Sequence, residues 1–161
     1  MNKIKRYLDN GTIYFVTSVT RNRLPIFNNK FSSQFLVACI SYHKFILEFN
    51  LFGYVIMPDH FHLLIQPSEK HNLSEILRFI KGNFARKYNE IIKQKGDLWQ
   101  RSFYEIAMRD SKDVLRWLEY MHYNPVKKGL VTFPEKYEFS SWWQYFGSKR
   151  GTVFVPIDIM L

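Results

Sequence analysis

Hydrophobic side chains recur along this chain in two periods, and the switches between them mark its elements. Residues 12–20, Thr-Ile-Tyr-Phe-Val-Thr-Ser-Val-Thr, are almost all β-branched or aromatic and follow Asn10-Gly11. That composition predicts a strand, and one central to its sheet. After a turn around Pro25 and Asn28-Asn29, the apolar positions Phe31, Phe35, Ala38, Tyr42, Phe45 and Phe49 recur at helical spacing, predicting a long helix with this stripe on the core. Residues 51–57 predict a second strand and 60–66 a third, joined through the turn chemistry of Pro58-Asp59 into a hairpin. Asn72 with Glu75 resembles a capping box, and Leu73, Ile76, Leu77, Ile80, Phe84, Tyr88 and Ile91 then carry a second helical stripe. Its polar side holds Arg78, Lys81, Arg86, Lys87 and Lys93. Residues 100–108 have strand character, and Ser111 can cap a further helix with the stripe Val114, Trp117, Leu118 and Met121, after which Pro125 and Gly129 punctuate the chain. The tail, with Trp142-Trp143 and the run from Val153 to Val155, is expected to pack back onto the rest. The order βαββαβ is that of an α+β ferredoxin-like sandwich, here with an additional C-terminal helix.

Composition narrows this picture. A chain of 161 residues with 47% hydrophobic content and fifteen Phe can fill one core, so one domain over 1–161 is expected. The 23 Lys and Arg against 14 Asp and Glu leave a net charge of +9, which favours a polyanionic partner: nucleic acid first, an anionic membrane surface well behind. No run approaches the roughly 18 apolar residues of a spanning helix, and the basic start is not followed by a signal-type core, so a cytoplasmic protein is expected. A lone Cys39 can form neither an internal disulfide nor a multi-thiolate zinc site, and is expected to be buried and inert.

The candidate chemistry begins at His60-Phe61-His62. Alternate residues of a strand share a face, so the two imidazoles can share one cation while Phe61 packs on the other side. An isolated pair of strand histidines is more often structural; here Pro58-Asp59 sets the pair at a strand's start, where site residues are often found. With no thiolates, open positions suit oxygen donors, so Mg²⁺ or Mn²⁺ bound with a phosphate fits, and imidazole suits Zn²⁺ as well. Tyr120 falls on the flank of the Val114, Trp117, Leu118 and Met121 stripe, and Asn124 lies one turn further along the same flank. Asn124 could offer an amide oxygen to the cation; as the residue before Pro125 it could instead cap a new turn. Composition does not choose Tyr120 over Tyr104 or Tyr123. The basic run from Arg78 to Lys95 reads by itself as a solvated helix face, but with the net charge and the aromatic content it becomes a candidate DNA surface that includes Arg78, Lys81, Arg86 and Lys87. Arg101, Arg109, Lys127 and Lys128 add positive charge on either side of the candidate site in sequence.

Three ordered segments carry a resemblance: Gly53-Tyr54-Val55-Ile56-Met57-Pro58-Asp59-His60-Phe61-His62-Leu63-Leu64, then Trp99-Gln100-Arg101-Ser102-Phe103-Tyr104, then Tyr120-Met121-His122-Tyr123-Asn124-Pro125-Val126-Lys127-Lys128-Gly129-Leu130-Val131. Together they resemble the single-tyrosine HUH transposases, with the closest likeness to the REP-associated tyrosine transposase branch, and the likeness runs from Tyr14 to about Trp142. The resemblance implies a ferredoxin-like nuclease whose C-terminal helix carries the catalytic tyrosine and which cuts single-stranded DNA at hairpins (REP-like elements or insertion-sequence ends) without ATP. It implies His60 and His62 as metal ligands, Asn124 as third ligand, Tyr120 as nucleophile, and Mg²⁺ or Mn²⁺ as cofactor. Attack by Tyr120 would give a 5′-phosphotyrosine and a free 3′-hydroxyl, which can reverse the step and rejoin a strand. A cytoplasmic enzyme bound to the nucleoid, with room for a homodimer, fits this reading. Two other classes stand against it. A non-catalytic single-strand-binding module of the RRM type shares the element order but needs a basic and aromatic third strand, where this chain has two histidines and Leu63-Leu64-Ile65. A zinc hydrolase using water would leave no covalent protein–DNA product.

Overall fold

The computed structural model of the protein describes residues 3–147 and 154–161. Its elements in chain order are α1 (Lys3–Asp9), β1 (Tyr14–Val19), α2 (Lys30–Leu47), β2 (Asn50–Met57), β3 (His60–Gln66), α3 (Leu73–Ile92), β4 (Tyr104–Ala107), α4 (Ser111–Lys127) and α5 (Trp142–Phe146), with short 3₁₀ turns at Arg21–Arg23, Ile26–Asn28 and Pro134–Lys136. The strands form one antiparallel sheet in the order β2-β3-β1-β4, which is the ferredoxin-like arrangement the element order predicts, with β1 inside the sheet. The helices α1 and α5 were not foreseen, because seven and five residues are too few to show a period. No helix among the described residues is long and apolar enough to cross a membrane.

Both faces of the sheet are covered over its β2, β3 and β1 strands but not at β4, and β3 is buried along its whole length. On one face Phe61, Leu63 and Ile65 pack with Val16, Tyr54 and Ile56 beneath α2 and α3, through Leu36, Ile40, Ile76, Leu77, Ile80 and Phe84. On the other, Phe15, Val55, Met57 and Leu64 meet α1 and α4 through Ile4, Val114, Leu118 and Met121. The register sets the chemistry on this second face: Thr17 and Val55 pair with His62 from either side, and Val19 and Met57 pair with His60. A bulge between Leu51 and Gly53 turns Gly53 toward α4. A β-carbon there would lie 2.8 Å from Leu118 Cδ1, so the absent side chain lets α4 sit close to the sheet.

The structure departs from the sequence reading in several places. Residues 30–47 are helical as expected, but of the expected stripe only Phe35 packs on the core, half-buried against Phe84, while Phe31, Ala38, Tyr42 and Phe45 face outward; Phe45 is 82% exposed, and Leu36, Val37, Ile40 and Leu47 are buried instead. This helix carries two apolar stripes, and periodicity cannot choose between them; the compact aliphatic one packs closest to the sheet. Phe49, beyond the helix, is buried as expected. On α3 the expected stripe is buried as far as Phe84, but Ile91 is exposed, and Lys81 departs from the solvated face. Its ammonium donates to the carbonyls of Gln100 and Ser102, both at 3.2 Å. Those two bonds draw residues 100–102 toward α3, and the strand expected over 100–108 shortens to Tyr104–Ala107.

Asp110, rather than Ser111, caps α4 by accepting from the Asp113 N–H. Nor does that helix break at Asn124-Pro125. It runs to Lys127 and ends where Gly129, at φ 72°, lets Leu130 N–H reach Pro125 O and Gly129 N–H reach Val126 O, a Schellman closure. Asn124 is therefore a helical residue and caps no new turn. The tail packs back as expected: Tyr145 donates to Phe52 O, Gln144 donates to Val155 O, and Val155 is fully buried. Val153 lies outside the described residues. Cys39 is buried, and burial pushes its thiol up to about 11, which suits an inert role.

Candidate metal and nucleophile site

His60 and His62 enter the space between the sheet and α4 already oriented. The turn that ends at β3 is pinned by Thr20, whose N–H and hydroxyl both donate to Asp59 O at 2.9 and 3.0 Å. The Asp59 carboxylate lies 2.6 Å from His60 Nδ1 and accepts from Arg23 at 3.1 Å. Arg23 and its neighbour Asn22 have φ of 51° and 54°, uncommon for residues with side chains. Partial burial would raise the Asp59 carboxyl, but the bonds from His60 and Arg23 outweigh it and hold it below the usual range. An ionised carboxylate only accepts, so the hydrogen sits on His60 Nδ1 and leaves Nε2 bare. At His62, Nδ1 meets Thr17 Oγ1 at 2.8 Å, and Nε2 accepts from Asn124 Nδ2 at 3.2 Å. Burial pushes His62 down to about 3, with His60 adding to the effect, and burial likewise lowers His60 against the pull of Asp59. Both imidazoles are thus neutral and bonded through Nδ1, the form in which Nε2 can serve a metal.

Asn124 completes this group from α4. Its Oδ1 is buried and has no partner, although buried amide oxygens are nearly always satisfied. A divalent cation held by the two Nε2 atoms would satisfy it, with the amide turned so that Oδ1 takes the place Nδ2 now holds against His62. Among the described residues no three His, Cys, Asp or Glu side chains gather into a metal cluster, so the donor set is two imidazole nitrogens and one amide oxygen. That set fits a divalent ion that keeps open positions for oxygen ligands.

One turn before Asn124 on α4, Tyr120 stands edge-on to Phe15, His62 and Trp117, with ring centroids 5.9, 6.0 and 5.2 Å away. It is 39% exposed, open to a substrate yet fixed by three rings. Lys127 Nζ lies 5.6 Å from its ring centre, and the charge of Lys128 bears on His60. Tyr123, on another side of α4, borders a hollow with Leu115, Leu118, Trp142 and Phe146. The fold thus brings His60, His62, Tyr120, Asn124, Lys127 and Lys128 together.

The remaining basic candidates lie elsewhere. Arg78, Arg86 and Lys87 are exposed on α3, across the sheet from the histidines. Arg78, Lys81 and Arg101 line a groove of about 630 Å³ between α3 and residues 96–103. The wall formed by residues 96–103 is tied to the histidine end of the sheet, because Gln100 N–H donates to Val19 O, and Val19 pairs with His60. Arg109 is committed to Asp113 through two bonds of 2.7 and 3.1 Å at the far end of α4. Sequence reading missed Thr17, Asp59 and Arg23. Asp59 stood beside His60 and was visible only as a turn residue, Thr17 follows from the β1–β3 register, and Arg23 gives no sequence signal.

Known proteins bear on this geometry. The sequence model described as "Transposase IS200 like" matches residues 10–124. A Haemophilus influenzae protein carried under the provisional name REP-associated tyrosine transposase is 32% identical over 155 residues, covering 88% of this chain and 85% of its own length. The Escherichia coli REP-associated tyrosine transposase is 28% identical over 143 residues, covering 88% and 82%. A solved REP-associated tyrosine transposase bound to a REP hairpin superposes with a TM-score of 0.73 at 29% identity, covering 83% of this chain and 78% of that one. The match along most of the chain, on the ferredoxin-like sheet that carries the histidine pair, shows that this protein belongs to the IS200-like tyrosine transposases, in the REP-associated branch, a family of enzymes that cleave and rejoin DNA.

Proposed function

We propose that this chain is a metal-dependent endonuclease and strand transferase acting on single-stranded DNA at hairpin elements, through a 5′-phosphotyrosine on Tyr120. The observation that carries this reading is the convergence of Tyr120, 6.0 Å ring to ring from His62, with the unpartnered buried Oδ1 of Asn124. His60 and His62 would hold the cation through Nε2 and Asn124 through Oδ1. Bound there, Mg²⁺ or Mn²⁺ supplies Lewis-acid polarisation of the scissile phosphate. Asp59 and Thr17 keep the imidazoles in the required tautomer. Tyr120 Oη attacks phosphorus, its proton leaves to solvent, and the bond to the 3′-oxygen breaks to give a protonated 3′-hydroxyl. Because the phosphotyrosine conserves the phosphodiester's energy, a 3′-hydroxyl can attack it and restore Tyr120. Lys127 and Lys128 add charge for the strand at this centre, and the groove lined by Arg78 and Arg101 leads the DNA toward it. Arg86 and Lys87 on the same helix extend that basic face, Lys81 serves by anchoring residues 100–102, and Arg109 by anchoring Asp113. The hairpin specificity follows the relative solved on a REP hairpin.

Incubation with a labelled hairpin oligonucleotide and Mn²⁺ should give a denaturation-resistant adduct that maps by peptide sequencing to Tyr120. A nucleotide on Tyr104 or Tyr123 would overturn the assignment. DNA binding without any adduct would favour the non-catalytic binding module, and cleavage without an adduct would favour a water-using hydrolase.

A further inference from the structure

The face that carries the histidines continues past them. Thr17 pairs with His62 on one side and with Tyr104 on the other, and Phe15 pairs likewise with Leu64 and Ile106. Residues in register across antiparallel strands project to the same face, so Tyr104 and Ile106 extend the surface on which His62 sits. Two strand spacings, about 10 Å, separate the Tyr104 and His62 backbones. Trp117 and Tyr120 of α4 cover Phe15, but all four β4 residues are exposed, Tyr104 by 67% and Ile106 by 43%. Among the described residues no aromatic ring packs on Tyr104 and none pairs its hydroxyl.

The surroundings say what would cover this apolar pair. Arg101, three residues before Tyr104, makes no ion pair among the described residues and lines the groove beside α3; Lys127 stands over Tyr120 at the other side of the row. Glu105 alternates onto the opposite face. An apolar surface continuous with a centre that carries Lys127 and Lys128 matches a partner with planar apolar groups on an anionic chain. We infer that Tyr104, with Ile106 beside it, is a stacking platform for an unpaired base flanking the scissile phosphate of single-stranded DNA. This rests on the proposed cleavage centre and adds a site that sets how the strand lies across it.

The test uses Tyr120→Phe protein, which binds without cutting, and hairpin DNA whose single-stranded flank carries 2-aminopurine at successive positions. One flanking position should be quenched on binding. The quenching should persist in Tyr104→Phe and Tyr104→Trp and vanish in Tyr104→Ala, with affinity for the flanked hairpin falling about 5- to 150-fold and affinity for a hairpin lacking the flank unchanged. Unaltered quenching and affinity in Tyr104→Ala would overturn the platform. So would equal losses for flanked and unflanked hairpins, or a concentration-dependent dimer that Tyr104→Ala dissolves, which would assign the patch to a second copy. The adduct assay on unmutated protein separates the two readings: an adduct without Tyr104-dependent quenching rejects the platform alone, and Tyr104-dependent quenching without an adduct rejects the nuclease reading alone.

Discussion

On β3, Phe61, Leu63 and Ile65 point beneath α2 and α3, while His60, His62 and Leu64 point beneath α1 and α4. The first set packs into an aliphatic and aromatic cluster, whereas among the second two imidazoles interrupt the core and are held by Thr17, Asp59 and Asn124. Both sets are buried, so burial alone does not separate structure from chemistry. The separation lies in how the buried polar atoms are satisfied: the Nδ1 of each of these two imidazoles has a partner behind it, and the Asn124 amide whose Nδ2 meets His62 Nε2 leaves its own Oδ1 without one. Removing a side chain from the dry face should cost stability, and removing one from the wet face should cost chemistry.

The sharpest way to break that contrast is His62→Ala set beside Phe61→Ala. With His62→Ala, adduct formation in Mn²⁺ should fall below detection while most of the hairpin affinity survives, since the proposed reading gives the phosphate contacts to Lys and Arg side chains; full cleavage activity in this variant would erase the distinction. Phe61→Ala should lower unfolding free energy by about 3–5 kcal/mol, read by denaturant titration, while the protein that remains folded still forms adduct. Gly53→Ala tests how α4 is seated. The new methyl would press on Leu118 Cδ1 at 2.8 Å, costing about 1–3 kcal/mol and lowering adduct formation by displacing the helix that carries Tyr120; an unchanged melting point would show that Leu118 moves aside freely.

The smallest effect concerns pH. The hydrogen bond and charge of Arg109, with Arg116, hold the Asp113 carboxyl down to about 2. A depressed carboxyl favours the folded form fully above its unfolded value near 3.9 and loses that contribution as pH falls through about 2. Protection of the amides in the first turn of α4, taken relative to intrinsic exchange at each pH, should therefore fall only below about pH 4, and Asp113→Asn should abolish that dependence; lost protection already at pH 6 would place the cause elsewhere.

What the sequence disclosed follows the physical source of each feature. The strand β3 and the helix α3 were legible because one face of each is polar enough to orient the other, and Tyr120 and Asn124 share a flank because helix geometry is local. The orientation of α2 was not legible, since Phe31, Tyr42 and Phe45 compete with Leu36, Ile40 and Leu47 and only tertiary packing decides. Nor was the fate of Lys81, whose bonds to Gln100 and Ser102 exist only once α3 and that segment meet. The continuity of α4 through Pro125 also lay beyond local rules. The proline's missing N–H falls near the helix end, and Gly129 closes the carbonyls beyond it.

That uninterrupted α4 has a consequence for stoichiometry. Because Tyr120 and Asn124 belong to one helix and face His62 of the same chain, the proposed chemistry gives a single copy one set of groups and one acceptor for a 5′ end. On the proposed chemistry, such a copy is loaded by its first cut and must discharge that end before it can make another. Excising a segment, which needs two cuts, is then either a timed sequence on one protein or a task divided between two copies that each keep their own account of a strand end.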